Sequence, residues 1–309
     1  MNASISAIVP TIGRADSLAA LFEALLAQTR RPDEVIVADG STGAEVRRVV
    51  ADPRWLAEGL VVRYLHLQPP NAVAQRKAAI AQANGSLLLL LDDDVVPEPG
   101  CVEALVNCLA TGGAVGVCAD FSNHAWPPPT TLWRWYLRWC HGITGRSWQG
   151  RVVGPLLRFG YHPMPETPVA MEWLGAGHSL VRRDAYERAG GFSDFFLHRS
   201  TVNEDVDLGI KLRREGPLLL CPSARMAHLH APAGRASVRI VAEDDLYNRY
   251  CIMRVTLHRS GPSALSSALL FLLVETVSGV FVLARHRRAN GFGLRLAGRL
   301  RAVMRIAAS

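Results

Sequence analysis

At 309 residues, with 49% hydrophobic and 20% charged positions, the chain can bury a full core, as one α/β domain with a C-terminal appendage or as two domains. Six cysteines (Cys101, Cys108, Cys118, Cys140, Cys221, Cys251) fall without CxxC pairs or metal-ligand spacing, which argues against a disulfide framework and for buried thiols in a reducing compartment. A formal charge of +7 and a pI near 9.4 call for an anionic partner without choosing among nucleic acid, nucleotide phosphates and an acidic membrane surface.

The stretch from Met1 to Pro10 has neither a basic start nor a long apolar run, so no signal peptide is expected and the N-terminus is expected to stay cytoplasmic. Apolar residues 5–9 predict a strand that ends at Pro10-Thr11-Ile12-Gly13-Arg14. Leu18, Leu21, Phe22, Leu25 and Leu26 then repeat at helical spacing behind Asp16, a capping candidate. Val35-Ile36-Val37-Ala38 predicts a second strand stopping at Asp39-Gly40-Ser41, with a helix following through Val49 and Val50. Such βαβ units build parallel sheets whose ligands lie at the carboxyl ends of the strands. A strand over 61–67 and a helix over about 72–83 lead to five consecutive leucines, 87–91, the strongest buried-strand signal, which runs into Asp92-Asp93-Asp94. A helix over about 98–109 and a short strand over 114–118 complete this half, so that Thr11, Asp39 and the acidic triplet all fall on one edge of one sheet.

From Trp126 to Trp148 the chain changes character. Pro127-Pro128-Pro129 precedes Leu132-Trp133-Arg134-Trp135-Tyr136-Leu137-Arg138-Trp139, whose interleaved aromatic and basic residues suit stacking on sugars or bases, a membrane interface, or packing against the main domain. Residues 172–181 predict a strand, and 206–214 a helix preceded by Asn203-Glu204-Asp205. The apolar stretch 264–284 has roughly transmembrane length but carries Glu275 near its middle, where a carboxylate costs on the order of 3 kcal/mol in a bilayer. A helix on the membrane surface or buried in the protein competes with a span. Arg285-His286-Arg287-Arg288 and then Arg295, Arg299, Arg301 and Arg305 would face anionic headgroups in the first case.

Three successive carboxylates after a buried strand repel one another unless a cation or hydrogen-bond donors compensate. Oxygen ligands favour Mg²⁺ or Mn²⁺, which also hold substrate phosphates. Asp39 can accept a hydrogen bond from a nucleobase or close an Asx turn with Gly40 and Ser41. Arg76, on the first turns of a helix after Asn71, can reach a phosphate or stand exposed, and Lys77 shares that ambiguity. Residues 203–207, Asn-Glu-Asp-Val-Asp, place carboxylates at a helix N-terminus, where the macrodipole stabilises negative charge. They cap the helix there, or supply an ionised base that takes a proton from an attacking hydroxyl. His228 and His230 can share one face of a strand, one of them as a metal ligand, or be surface histidines.

Taken in order, Ile8-Val9-Pro10-Thr11, residues 35–41, Leu91-Asp92-Asp93-Asp94 and residues 203–209 closely resemble the family 2 glycosyltransferases of the GT-A fold. Between these motifs, Gly175-Ala176-Gly177, Val181-Arg182-Arg183-Asp184 and Gly190-Gly191-Phe192 resemble the family's segment between its DxD and ED motifs. The resemblance covers roughly residues 4–235. It implies an α/β fold of GT-A type, a Rossmann-like, mostly parallel sheet flanked by helices; the residues beyond it are expected to form a C-terminal helical membrane-associating appendage. The domain expectation is a catalytic domain over 1–235 (a nucleotide-binding half to 120, an aromatic and basic insertion over 121–170, an acceptor half over 171–235) and a helical region over 236–309.

The resemblance also implies roles. Thr11, Arg14, Asp39 and Arg76 would hold the nucleotide, Asp39 near the base and Arg76 near a phosphate. Asp92 and Asp94 fill the DxD positions as Mn²⁺ or Mg²⁺ ligands, Asp94 foremost, with His228 completing the metal site; Asp93 would meet the ribose or the sugar. Asp205 would be the general base and Glu204 a substrate-binding residue, while Trp173, Gly175 and Gly177 would border the acceptor and sugar pocket. Ala38 stands where the family often has the first of two acidic residues, and the donor implied is a UDP or dTDP sugar ahead of a GDP sugar. The expected partners are therefore a nucleotide-sugar donor, a glycan or lipid-linked glycan acceptor and a membrane surface at the cytoplasmic face, with no nucleic acid. The rival readings are a nucleotidyltransferase, which does not need the Asp205 base, and an inactive membrane-associated glycan-binding scaffold.

Overall fold

The computed structural model describes residues 3–111, 113–123, 129–154, 157–160, 166–197, 201–230, 236–286 and 291–308. In chain order they form β1 (Ile5–Thr11), α1 (Ala15–Leu26), β2 (Glu34–Asp39), α2 (Glu45–Val50), α3 (Arg54–Ala57), β3 (Val62–His66), α4 (Ala72–Ala81), β4 (Leu87–Leu91), β5 (Val95–Pro97), α5 (Cys101–Thr111) and β6 (Gly116–Phe121). There follow α6 (Thr131–His141), β7 (Val152–Val153), β8 (Arg158–Phe159), β9 (Val169–Met171), β10 (His178–Arg182), α7 (Arg183–Arg188), α8 (Glu204–Leu212), β11 (Leu218–His228), α9 (Val238–Cys251), α10 (Gly261–His286) and α11 (Phe292–Ala307). The chain divides into two compact units, unit 1 comprising 1–125, 164–193 and 204–235, and unit 2 comprising 126–163, 194–203 and 236–309.

Unit 1 is built on one sheet of order β3-β2-β1-β4-β10-β6-β11-β5, with β9 paired to β11. The strands β3, β2, β1 and β4 run parallel, as the βαβ pattern requires, whereas β10 is antiparallel to both β4 and β6. The five leucines of β4 are all buried between β1 and β10. A strand covered on both faces needs this continuous apolar run in place of alternation. The sheet side chains Val9, Val37, Leu89 and Val117 share one core with Leu18, Phe22 and Leu25 of α1 and with Val102 and Leu105 of α5.

Several boundaries differ from expectation for local reasons. Helix α1 begins at Ala15 with Arg14 at its N-cap and no side-chain cap, so Asp16 sits inside the first turn, beside the positive end of the helix, and does not cap it. Helix α5 starts at Cys101, not near 98, because Gly100 takes a left-handed φ of +83° that helical backbone cannot use. Of the strand expected over 172–181 only the second half forms, as β10, because residues 172–177 make a turn in which the Gly177 carbonyl accepts from Asp92 N–H (3.0 Å); β9 lies before it. Strand β5 was not anticipated at all.

Helix α8 is set by a close backbone approach. A Cβ at Gly209 would lie 2.5 Å from Trp173 Cα and 3.1 Å from Leu174 N, neither of which can swing aside. Gly209→Ala is therefore expected to lower unfolding stability by about 1–3 kcal/mol, read as a fall in the urea midpoint, and an unchanged midpoint would show that the approach is not tight.

Unit 2 is helical. Trp133 and Tyr136 of α6, Leu246 of α9, Ala268, Phe271 and Val274 of α10, and Ala302 and Ile306 of α11 form its core. Helix α6 is capped by Thr130 and ended by Gly142 in the left-handed conformation. Glu275, near the middle of α10, accepts hydrogen bonds from Trp133 Nε1 (2.8 Å) and Arg299 Nη2 (2.7 Å). The carboxylate that sets the apolar stretch apart from a simple span is thus ion-paired inside this bundle. Trp126, Pro127 and Pro128 lie outside the described residues, as do Arg287 and Arg288 and the side chains of Arg285 and His286.

Candidate functional site

The strand ends of unit 1 gather the acidic residues. Thr11 and Asp39 are register partners at the ends of β1 and β2, and the triplet 92–94 leaves the end of β4, which pairs with β1 on its other side. Asp39 is fully buried and closes an Asx turn by accepting from Ser41 N–H (2.8 Å), while its other oxygen accepts from Tyr64 O–H (2.8 Å). Burial, with the Asp39 carboxylate beside it, pushes the Tyr64 phenol up to about 12, which keeps it a donor. Gln75 of α4 donates to the Thr11 carbonyl (2.8 Å) and the Ala38 carbonyl (2.6 Å), tying the two strand ends together.

Each carboxylate of the triplet has its own partner. Asp93 accepts from Thr11 Oγ1 (2.6 Å) and Arg14 Nη1 (2.8 Å), and burial still raises its pKa. Arg14 reaches Asp94 as well (3.4 Å), so one guanidinium bridges two neighbouring acids. Asp94 Oδ1 lies 3.1 Å from His228 Nε2. That convergence is the work of β5, which pairs antiparallel with the end of β11 and sets His228 opposite Val95, the residue after Asp94. The Phe121 ring stacks on His228 at 5.3 Å and touches His178 at 4.4 Å. Strand β11 stops at His228 and His230 follows with φ +54°, so the two histidines do not share a strand face, although their rings stand 4.0 Å apart.

Asp92 joins the acidic triplet to the distant ED pair. Arg76 Nη2 donates to Asp92 Oδ1 (2.6 Å) and its Nη1 to Glu204 Oε1 (3.2 Å), while the arginine side chain is only 4% exposed. Both terminal nitrogens of Arg76 therefore hold carboxylates in this structure, and Glu204, at the first position of α8, is brought to Arg76 across 128 residues of sequence. Burial, then the adjacent Asp205 charge, raises the Glu204 carboxyl to about 8, and burial raises Asp205 to about 6. The helix N-terminus and Arg76 act the other way and are outweighed. Asp207, the next acid, is anchored elsewhere: it accepts from Ser193 Oγ (2.6 Å) and pairs with Lys211 (3.1 Å).

The glycine turn lines the same place. A Cβ at Gly177 would fall 2.1 Å from Asp92 Oδ2, and one at Gly175 2.0 Å from His178 Nε2, so both positions are glycine because a side chain is already there. Trp173 is fully buried under α8, and its ring offers no face to solvent. His178 escaped the sequence reading. It is buried, bonds the Ala119 carbonyl through Nδ1 (2.7 Å), and burial depresses it to about 4, so it is a neutral imidazole. Its position directly after the 175–177 turn was the available signal.

Among the described residues, Asp92, Asp93, Asp94, Glu204 and Asp205 thus meet two arginines, Arg14 and Arg76. No group of three or more ready-placed metal donors occurs among them. A carboxylate and an imidazole from different strands do converge at Asp94 and His228, and Mg²⁺ or Mn²⁺ commonly draws its remaining ligands from water and phosphate. The donor set fits such an ion.

Comparison with known proteins adds a family. The family model described as Glycosyl transferase family 2 matches residues 6–158. The O-antigen biosynthesis protein RfbC of Myxococcus xanthus is 30% identical over 268 residues, covering 83% of this chain but 20% of that protein. The N-acetylglucosaminyl-diphospho-decaprenol L-rhamnosyltransferase of Mycobacterium tuberculosis is 27% identical over 215 residues, 65% of this chain and 67% of that one. The chain therefore spans about a fifth of the first relative and two thirds of the second. Among solved structures, S. aureus TarS 1–349 in complex with UDP-GlcNAc superposes with a TM-score of 0.56 at 13% identity, covering 99% of this chain and 83% of that one. GalNAc-T7 with UDP, GalNAc and Mn²⁺ gives 0.56 at 14% identity, covering 82% and 48%. At those identities the likeness is one of fold, and the fold is of GT-A type.

Proposed function

Because the chain belongs to glycosyl transferase family 2, we propose that it is an inverting glycosyltransferase acting at the cytoplasmic face of the membrane. It moves a sugar from a nucleotide-sugar donor, a UDP or dTDP sugar ahead of a GDP sugar, to a hydroxyl of a cell-surface glycan or its lipid-linked precursor. The observation that carries this reading is the Arg76 clamp, which draws Glu204 to Asp92 and so puts the ED and DxD carboxylates in one place. A nucleotidyltransferase has no use for a base there. The relatives' O-antigen and diphospho-decaprenol names support the acceptor class.

In this reading Asp205 takes the proton from the acceptor hydroxyl as that oxygen attacks the anomeric carbon from the face opposite the nucleotide, and a single displacement inverts the centre. Thr11, Arg14, Asp39 and Asp93 bind the nucleotide and sugar, Arg14 exchanging its carboxylate contacts for phosphate. Arg76 holds Glu204 and Asp92 in register. Gly175 and Gly177 shape the wall toward the acceptor, and Trp173 is buried and does not face it. A Mn²⁺ or Mg²⁺ ion held by Asp94, His228 and Asp92 would neutralise the charge that develops on the departing diphosphate.

The test is a thermal-shift screen of nucleotide sugars with Mn²⁺. A true donor at a hundred times its Kd stabilises the fold by about 2.7 kcal/mol, which identifies nucleotide and sugar together. No shift with any donor, alongside pyrophosphate release from a nucleoside triphosphate, would transfer the site to the nucleotidyltransferases.

A further inference from the structure

The positive charge of the chain does not reside at the nucleotide site. Unit 1 carries 17 cationic and 22 acidic residues, a balance of −5, whereas unit 2 carries 17 arginines and five carboxylates, a balance of +12. The excess is concentrated in the helices.

Unit 2 also exposes apolar side chains in rows. On α10 the inward positions Ala264, Ala268, Phe271, Val274 and Ser278 are buried, and the opposite stripe, Leu269, Leu270, Leu273, Val280 and Phe281, is in solvent, with Leu273 58% and Phe281 66% exposed. Helix α11 leaves Leu294, Leu300 and Met304 exposed beside the exposed Arg295 and Arg301. Helix α6 does the same with Trp135 and Trp139, 58% and 66% exposed, flanked by the exposed Arg134 and Arg138. Among the described residues no carboxylate pairs with any of these four arginines. Arg299 and Arg305 behave differently: they turn inward to Glu275 and to Asp244 and Tyr247.

We infer that unit 2 is a docking surface for an anionic lipid bilayer, with α10 lying in the plane of the interface and not crossing it. Helix α10 is long and apolar enough to span by length and composition. To do so it would have to leave Trp133 and Arg299, carrying Glu275 unpaired into hydrocarbon and stranding Arg299. In the plane, the same helix keeps those bonds and inserts only its outer stripe. Tryptophans and arginines alternating along α6 match the boundary between acyl chains and negative headgroups, which a water-facing surface has no reason to provide. A second copy of a +12 unit would meet strong repulsion at this surface, and a negative bilayer meets attraction. The inference specifies the membrane part of the reading above and is independent of its chemistry.

The test is cosedimentation of the full chain with phosphatidylglycerol vesicles and with phosphatidylcholine vesicles, alongside transfer to a water-soluble acceptor analogue. Binding is expected to the first and to be weaker by at least about tenfold to the second, and Arg295→Glu with Arg301→Glu is expected to cost at least about tenfold. Leu273→Glu with Phe281→Glu should release the protein from vesicles while soluble transfer persists, which also shows that these variants fold. Equal binding to both lipids with resistance to alkaline extraction would mean a span. Failure to bind either, or a dimer that Leu273→Glu dissociates, would overturn the docking surface. Loss of soluble transfer in the unaltered chain would instead count against the enzyme reading.

Discussion

Asp205→Asn is expected to abolish sugar transfer while leaving donor binding intact. The substitution keeps the size of the side chain and, through its carbonyl oxygen, the bond that Asp205 Oδ1 accepts from Val206 N–H (2.8 Å), so α8 need not move. What disappears is the proton acceptor, whose loss costs about 10²–10⁴ in rate for general-base catalysis. The pH dependence follows from the direction of the shift. Burial raises Asp205 to about 6, and the base works only when ionised. Turnover at limiting substrate should therefore be flat near neutrality and fall as pH drops through about 6. Glu204 contributes oppositely, because a carboxyl raised to about 8 is protonated at neutral pH and can take a hydrogen bond to Arg76 without charge. Its ionisation places a second negative charge beside Asp205 and raises the latter further. Equal kcat for Asp205→Asn and the parent, with calorimetric donor affinity as the control, would remove Asp205 from the mechanism.

How much of this was readable beforehand depends on how far apart in sequence the cooperating residues lie. The strand ends carrying Thr11, Asp39 and Asp92 were legible because each strand is a mostly apolar run closed by a polar residue, a pattern set by burial on both faces. The link between Asp94 and His228 came only from the family resemblance and not from the pattern, since it depends on β5, three residues long and ending in Pro97, with no periodicity to read. Arg76 looked like a phosphate ligand or an exposed helical arginine, and nothing in its neighbourhood announces that Glu204 will arrive from 128 residues away. Trp173 looked like a wall of the sugar pocket, and only the three-dimensional structure shows that it is fully buried, with Gly209 of α8 passing close to its Cα. Glu275 illustrates the same limit in unit 2. In the sequence it is a charge in an apolar helix, and its meaning changes once Arg299 and Trp133 are seen to satisfy it. Periodicity reports which face of an element is covered, but not by what.

EDTA is expected to silence the enzyme and Mn²⁺ or Mg²⁺ to restore it, with Asp94→Ala lowering turnover at least about a hundredfold and weakening Mn²⁺ binding measured by electron paramagnetic resonance. The argument is electrostatic and rests on the residues present. With Glu204 protonated at neutral pH, the carboxyl groups of Asp92, Asp93, Asp94 and Asp205 share the site with two arginines, and a nucleoside diphosphate adds further negative charge. Two like charges 4 Å apart at a protein surface repel by about 4 kcal/mol, so each phosphate oxygen brought near Asp93 or Asp94 needs a cation between them. Arg14 now bridges those two acids and is 15% exposed, so it can follow a phosphate outward. Its departure would leave Asp94 with one cation fewer, beside the His228 imidazole 3.1 Å away. A divalent ion there would supply two positive charges and bond the phosphate directly. Full activity in EDTA, with Arg14→Gln then the inactivating change, would show that the arginine and not a metal balances the diphosphate.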